Sequence, residues 1–287
     1  MAIFSGDIVA REFLLGLLTP FGANALLFLI AGLIFFLASR IQKISLKSFS
    51  SKDTLLLAIN ALWSSAMVVC LQKGLTPSSA GLANAVFCAY PLVTYICSIL
   101  FLKEDSLSLI KLSGFLITFV GFYMIVSVSS STHTISGWVI AATLLIGSQL
   151  CLVRYLTQKY SVTVVLTWQH GLTGLFCMLA ALCSGGFLST HSSPHPLWAG
   201  ILAFTYIAIF VNVMAYAVQG YLVKKYPAST VSSFILFRPA LGFIFAALFL
   251  KEPLSIWLFI AAGIIGIGIL IVFKGASLFP GRECPTR

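Results

Sequence analysis

Long apolar runs separated by short polar stretches dominate the chain. They fall at 21–39, 54–72, 79–102, 107–127, 137–157, 162–183, 197–223, 228–250 and 255–273, and each is about 19–27 residues long. A helix of that length crosses a hydrocarbon core ~30 Å thick, so the pattern predicts nine spans. The opening stretch "MAIFSGDIVAREFLLGLL" is also apolar but contains Asp7, Arg11 and Glu12. It could be a signal peptide, because "FGANA" follows it with small residues. Such a peptide starts with basic residues, however, and here two acids come first.

An internal repeat settles the opening stretch. "FLKE" ends the run at 101–104 and again the run at 249–252, 148 residues later. Aligned on it, "AYPLVTYICSILFLKE" lies over "FRPALGFIFAALFLKE", with Pro91 over Pro239 and, upstream, Pro77 over Pro227. Downstream, Gly114 and Gly121 meet Ala261 and Gly268. Nearer the start, a displacement of 142 brings Gly32 onto Gly174, Asp7 onto Gln149 and Glu12 onto Arg154. The opening stretch is thus the counterpart of a span and reads as a short first helix. The chain is a five-helix unit written twice, over 1–128 and 137–274, with a polar tail at 275–287. Five is odd, so the second copy enters the membrane from the opposite side, the inverted-repeat plan of many secondary transporters. The expected fold is all-α, with ten transmembrane helices.

Composition agrees. The chain of 287 residues is 60% hydrophobic and 8% charged, with mean hydropathy +1.06, whereas a soluble domain carries about 25% charged residues. The net charge of +10 does not point to nucleic acid, because the positive residues flank apolar runs instead of forming a basic face. With the N-terminus inside, the cytoplasmic segments hold Arg40, Lys43, Lys47, Lys52, Lys103, Lys111, Lys159, Lys224, Lys225, Lys274, Arg282 and Arg287, and the outer ones only Lys73 and Lys251. That bias predicts both termini in the cytoplasm of a bacterial inner membrane. Six of the seven cysteines lie in apolar runs without metal spacing and read as small hydrophobes. His191 and His195 have metal-like spacing, but Pro194 between them argues against a shared helix face. No P-loop, HExxH or nucleotide fingerprint occurs, so no cofactor is expected.

The five-helix halves and the ending "P…FLKE…G…G" resemble the EamA-type branch of the drug/metabolite transporter superfamily. The resemblance implies that the third and fourth helices of each half line a central cavity, helped by the first, while the fifth packs at the edge. Members of that family usually carry Trp-Gly in the first helix, with a basic residue beyond it. This chain has Ser5-Gly6 and then Glu12, so its first helix has to be read from its own residues.

Charges inside a bilayer are costly and need a reason. Asp7 and Arg11, at i and i+4, can pair with each other or reach the interface. Glu12 can face the cavity as a proton-exchanging group or pair with Arg154. Arg238, beside the helix-breaking Pro239, suits a carboxylate or phosphate or a pairing with Glu12. Polar stripes on single helix faces mark candidate cavity walls: Asn60, Ser64 and Met67; Tyr90, Thr94 and Cys97; Asn212, Tyr216 and Gln219. Trp168, Gln169 and His170 are consecutive, so they cannot all face the cavity. The expected substrate-binding set is Glu12, Asp7, Asn60, Tyr90, Asn212, Tyr216, Gln219, Phe237 and Arg238. The function expected is secondary transport of a small organic solute by alternating access. Acids with an arginine favour an amino-acid-like or zwitterionic solute, including a derivative such as S-adenosylmethionine. A proton-coupled exporter of organic cations is the alternative, and a membrane-embedded enzyme or lipid-processing protein is a third class, for which no reactive constellation is seen. The expected partners are the solute, the bilayer and coupling protons, with the chain a monomer or homodimer.

Overall fold

A computed structural model describes residues 2–14, 17–45, 49–74, 86, 89–129, 136–189, 195–237 and 256–278. Among them, α1 (Ala2–Leu14), α2 (Pro20–Ile41) and α3 (Ser51–Gly74) come first. Next is α4 (Tyr90–Leu102), α-helical to Cys97 and then π-helical. Then follow α5 (Leu109–Ser129), α6 (Gly137–Lys159) and α7 (Val162–Cys183). In α8 (Leu197–Lys225) a π-helical stretch, Tyr206–Ala215, interrupts the α-helix. α9 is α-helical over Ala228–Ser233 and a 3-10 turn over Phe234–Phe237, and α10 spans Ile256–Leu278. Five of these, α2, α3, α6, α7 and α8, are long and apolar enough to cross a membrane.

The distribution of polarity is the reverse of that in a water-soluble protein. Leu33, Leu62, Phe101, Tyr123, Leu182, Trp198, Phe259 and Leu270 are exposed, whereas Asn24, Asn60, Gln72, Gln149, His170 and Asn212 are buried. A chain that hides its amides and shows its leucines is solvated by something apolar.

Two antiparallel crossings join the halves. Where α2 meets α7, a Cβ on Gly32 would lie 2.8 Å from the Gly171 nitrogen, and one on Gly174 would lie 2.7 Å from the Leu29 nitrogen. The displacement of 142 carries 29 to 171 and 32 to 174, so the two contacts exchange. Where α5 meets α10, Gly114 and Gly268 approach each other's carbonyl oxygens, each to 2.7 Å from the other's would-be Cβ, and Gly121 faces the Ala261 carbonyl at 3.0 Å. Backbones this close gain dispersion contacts that larger residues would prevent. α5 and α10 share a core of their own with Tyr95 and Leu236. The main core gathers α1, α2, α3, α6 and α8 with parts of α4, α7 and α9. The fifth helices therefore pack at the edge, as the resemblance implies.

Both ends of the bundle are strapped. At the lysine-rich end, Lys111 binds Asp105 at 2.6 Å and Lys159 binds Asp53 at 3.2 Å. Tyr160 donates to Asp53 at 2.7 Å, and that hydrogen bond to a carboxylate raises the phenol above its usual range. The first FLKE ends its helix here. Phe101 is 76% exposed, Lys103 takes a left-handed φ of 55° as a helix C-cap, and Glu104 turns inward to Arg154 at 2.9 Å. At the opposite end, the Thr19 backbone N–H donates to the Phe187 carbonyl at 2.9 Å and Ser189 N–H donates to Leu17 at 3.2 Å.

Candidate functional site

Three helix irregularities meet at the centre of the main core. α4 begins only at Tyr90, with Pro91 in its first turn. α9 loses α-geometry at Phe234–Phe237, two residues before Pro239 in the sequence, whose nitrogen has no hydrogen to donate to that turn. α8 returns from π to α at Tyr216. Tyr90, Ile235 and Tyr216 all line one central cavity of about 30 Å³, together with Phe4, Asp7, Arg11, Met67, Val68, Leu71, Ile146 and Gln219. A second void of about 10 Å³ shares Ile146, Tyr216 and Gln219 with the first and adds Gln149, Leu150, Val153, Leu166, Gln169 and Gly220.

α1 brings the charge. Arg11 Nε donates to Asp7 Oδ1 at 3.0 Å, the i,i+4 spacing of one helix face. Arg11 Nη1 donates to Asn24 Oδ1 at 3.0 Å, and Asn24 Nδ2 donates to Gln72 Oε1 at 2.8 Å. Arg11 is 3% and Asp7 6% exposed. A buried pair of this kind survives because its hydrogen bonds offset the lost hydration. Its two ends can also be met by an incoming ammonium and carboxylate.

Of the residues expected from sequence, Asp7, Tyr90, Tyr216 and Gln219 come together on the central cavity. Asn60 does not line it. It is fully buried and its Nδ2 donates to Gln169 Oε1 at 3.1 Å, a residue of the second void. Asn212 lies inside the π segment, is fully buried, lines neither void, and has both amide atoms without a partner. A π turn holds more residues than an α turn, so the α-spaced stripe through Asn212, Tyr216 and Gln219 is broken after its first member. In the other two stripes, Met67 lines the cavity, while Thr94 instead donates to the Gly147 carbonyl of α6 at 3.0 Å. The Glu12 and Phe237 side chains and all of Arg238 lie outside the described residues, and with them any pairing between Glu12 and Arg238.

The expected pairing of Glu12 with Arg154 also involves a side chain outside the described residues. Arg154 binds Glu104, and its Nη1 donates to the last-turn carbonyls of α8 at Val223, 2.6 Å, and Lys224, 2.7 Å. This is the lysine-rich end. Glu12 follows Arg11, whose contacts run to the start of α2 and the end of α3, at the other end. An antiparallel two-fold sends equivalent positions to opposite depths, so alignment partners meet only near the axis.

Two site features lie outside the expected binding set. Gln149 and Gln169 line the second void, and the signal for Gln149 was its alignment with Asp7. His170 is fully buried, with Nδ1 3.0 Å from the Leu166 carbonyl and its ring 5.2, 5.3 and 5.1 Å from the rings of Phe28, Phe35 and Tyr216. Of the three consecutive residues, only Gln169 lines a void, and Trp168 points outward against Phe49.

A solved crystal structure at 17% sequence identity superposes with a TM-score of 0.71 over 98% of this chain and 98% of that one. That likeness establishes the fold. No curated protein matches the sequence. The model of the EamA-like transporter family matches twice, over residues 1–127 and 134–274, which puts both halves of the cavity wall inside it. A duplicated helical frame, apolar outside and polar at its centre, is therefore that of a member of the EamA-like transporter family, to which this chain belongs.

Proposed function

We propose that this chain is a secondary transporter of small organic metabolites working by alternating access, and that its solutes are amino-acid-like or zwitterionic, from amino acids to derivatives such as S-adenosylmethionine. The observation that carries this reading is the Asp7–Arg11 dyad, buried where the irregular points of α4, α8 and α9 converge. A solute ammonium takes Asp7 and its carboxylate takes Arg11, so the buried charge stays balanced throughout. Tyr90, Tyr216 and Phe4 supply the apolar wall. Glu12, Phe237 and Arg238, expected from the sequence, belong to the same proposed binding set, and Asn60 and Asn212 act from behind the wall.

The frame for this mechanism is ten spans in two inverted repeats, 1–128 and 137–274. Both termini are cytoplasmic in a bacterial inner membrane, protons are the coupling ion, and the unit is a monomer or homodimer. The apolar outer surface and the antiparallel crossings support it. A cavity of about 30 Å³ has room for about one water. The loaded state therefore requires one set of straps to part, the Arg154 end for release to the cytoplasm or the Thr19–Phe187 end for release outside.

Counterflow of labelled amino acids and S-adenosylmethionine into proteoliposomes tests the reading. Wild type is expected to exchange at least one of them, and Asp7→Asn none. An organic-cation exporter is the second reading, favoured by an acid among Phe4, Tyr90 and Tyr216. Exchange of tetraphenylphosphonium without exchange of any zwitterion would replace the first reading with the second.

A further inference from the structure

The second void is the two-fold counterpart of the first. The displacement of 142 carries Phe4, Asp7 and Arg11 onto Ile146, Gln149 and Val153, and the members of each trio line their respective voids. The charged dyad of one lobe is thus replaced by a neutral amide in the other. Gln149 is 3% exposed, yet neither its Oε1 nor its Nε2 has a hydrogen-bond partner. A buried amide unpaired on both atoms is costly, and natural structures keep few of them. Here the group borders a void shared with Gln169 and Gln219. Gln169 is already fixed by the hydrogen bond from Asn60.

We propose that Gln149, with Gln169 and Gln219, forms a second subsite of the transport cavity, selecting solutes that carry an uncharged group able both to donate and to accept a hydrogen bond, such as a carboxamide. The inference rests on the zwitterion reading above for the solute's charged end. An amide presents one acceptor and one donor face, which a carboxamide matches in both directions. No charged residue borders this lobe among the described residues, so an ionised group placed there would be uncompensated. Tyr216 and Gln219 stand between the lobes, and movement of these two side chains makes one elongated chamber of the two voids. A solute then lies with its zwitterionic head at Asp7 and Arg11 and its polar tail at Gln149.

The test measures binding of L-glutamine and of L-norleucine, which lacks the carboxamide, to the full-length protein in lipid nanodiscs. Wild type is expected to prefer L-glutamine by about tenfold or more, since a site built to hydrogen-bond rejects ligands without the partner group. Gln149→Leu is expected to remove that preference and to leave the head-group requirement intact. Asp7→Asn is expected to weaken both ligands alike. Norleucine binding as tight as glutamine in wild type, or a preference that survives Gln149→Leu, overturns the subsite and leaves the zwitterion reading standing. Binding of neither ligand overturns the subsite, and the counterflow assay above then decides the zwitterion reading on its own. A readout independent of ligand is the thermal midpoint. Gln149→Leu is expected to raise it, because an unpaired buried amide gives way to an apolar side chain of similar size. A lowered midpoint overturns the proposal, because it would mean that the amide holds the fold together.

Discussion

At the scale of single residues, the Asp7–Arg11 pair is the most exacting feature. Replacing Asp7 with Asn leaves the Arg11 guanidinium buried without a counter-charge, which costs about 3–5 kcal/mol in comparable pairs. Thermal unfolding of Asp7→Asn should show a loss of that order, and adding Arg11→Met should recover much of it. A single variant as stable as wild type would mean that the pair is solvated and not closed into the core. The pair was legible in the sequence because i,i+4 charges on a helix have few other reasons to coexist in an apolar segment. Gln149 was harder to read. An uncharged amide in an apolar run carries no obvious penalty until burial and the absence of partners are known, and both depend on neighbours far away in sequence.

Among the elements, legibility follows chemistry that acts locally. The start of α4 is marked by Pro91, which a helix accepts in its first turn because that N–H would be unpaired anyway. The π segment of α8, "YIAIFVNVMA", has neither glycine nor proline. No residue type in it marks the i+5 register, so a stripe counted at α spacing breaks after Asn212. Crossing glycines give a prediction of sign. A Cβ on Gly32 meets backbone atoms that cannot move aside, 2.8–2.9 Å away, whereas one on Gly171 meets nothing within 4 Å. Gly171→Ala should stabilise the protein by up to about 1 kcal/mol through helix propensity. Gly32→Ala should destabilise it by about 1–3 kcal/mol through overpacking. Unfolding midpoints shifted in the same direction by both substitutions would contradict the α2–α7 crossing.

For the whole molecule, the duplication is the strongest sequence signal. It equates Glu12 with Arg154, but a two-fold with antiparallel halves sends most equivalent positions to opposite depths, so equivalence in the alignment does not imply contact. The proposed orientation predicts that cysteines replacing the exposed Ser51 and Ser184, at the starts and ends of α3 and α7 respectively, label from opposite faces of the membrane. In a Cys-depleted protein, an impermeant maleimide should reach Ser184→Cys from outside and Ser51→Cys only from the cytoplasm. Labelling of both from one face would remove the inverted arrangement.

In the proposed cycle, the unlike lobes of the cavity give transport a direction for the cargo itself. Identical halves would let a bound molecule lie in two antiparallel poses of equal energy. Asp7 and Arg11 connect through Asn24 to the Gln72 end of α3, while Val153 and Gly220, which line the void with Gln149, lie toward the ends of α6 and α8 that carry Lys159 and Lys225. On the proposed subsites the degeneracy is lifted, and one pose is kept through the cycle. In the proposed orientation a solute then travels as a vector, its charged end facing outward and its neutral end facing the cytoplasm. A molecule carrying the same groups at the wrong separation cannot satisfy both lobes by turning around.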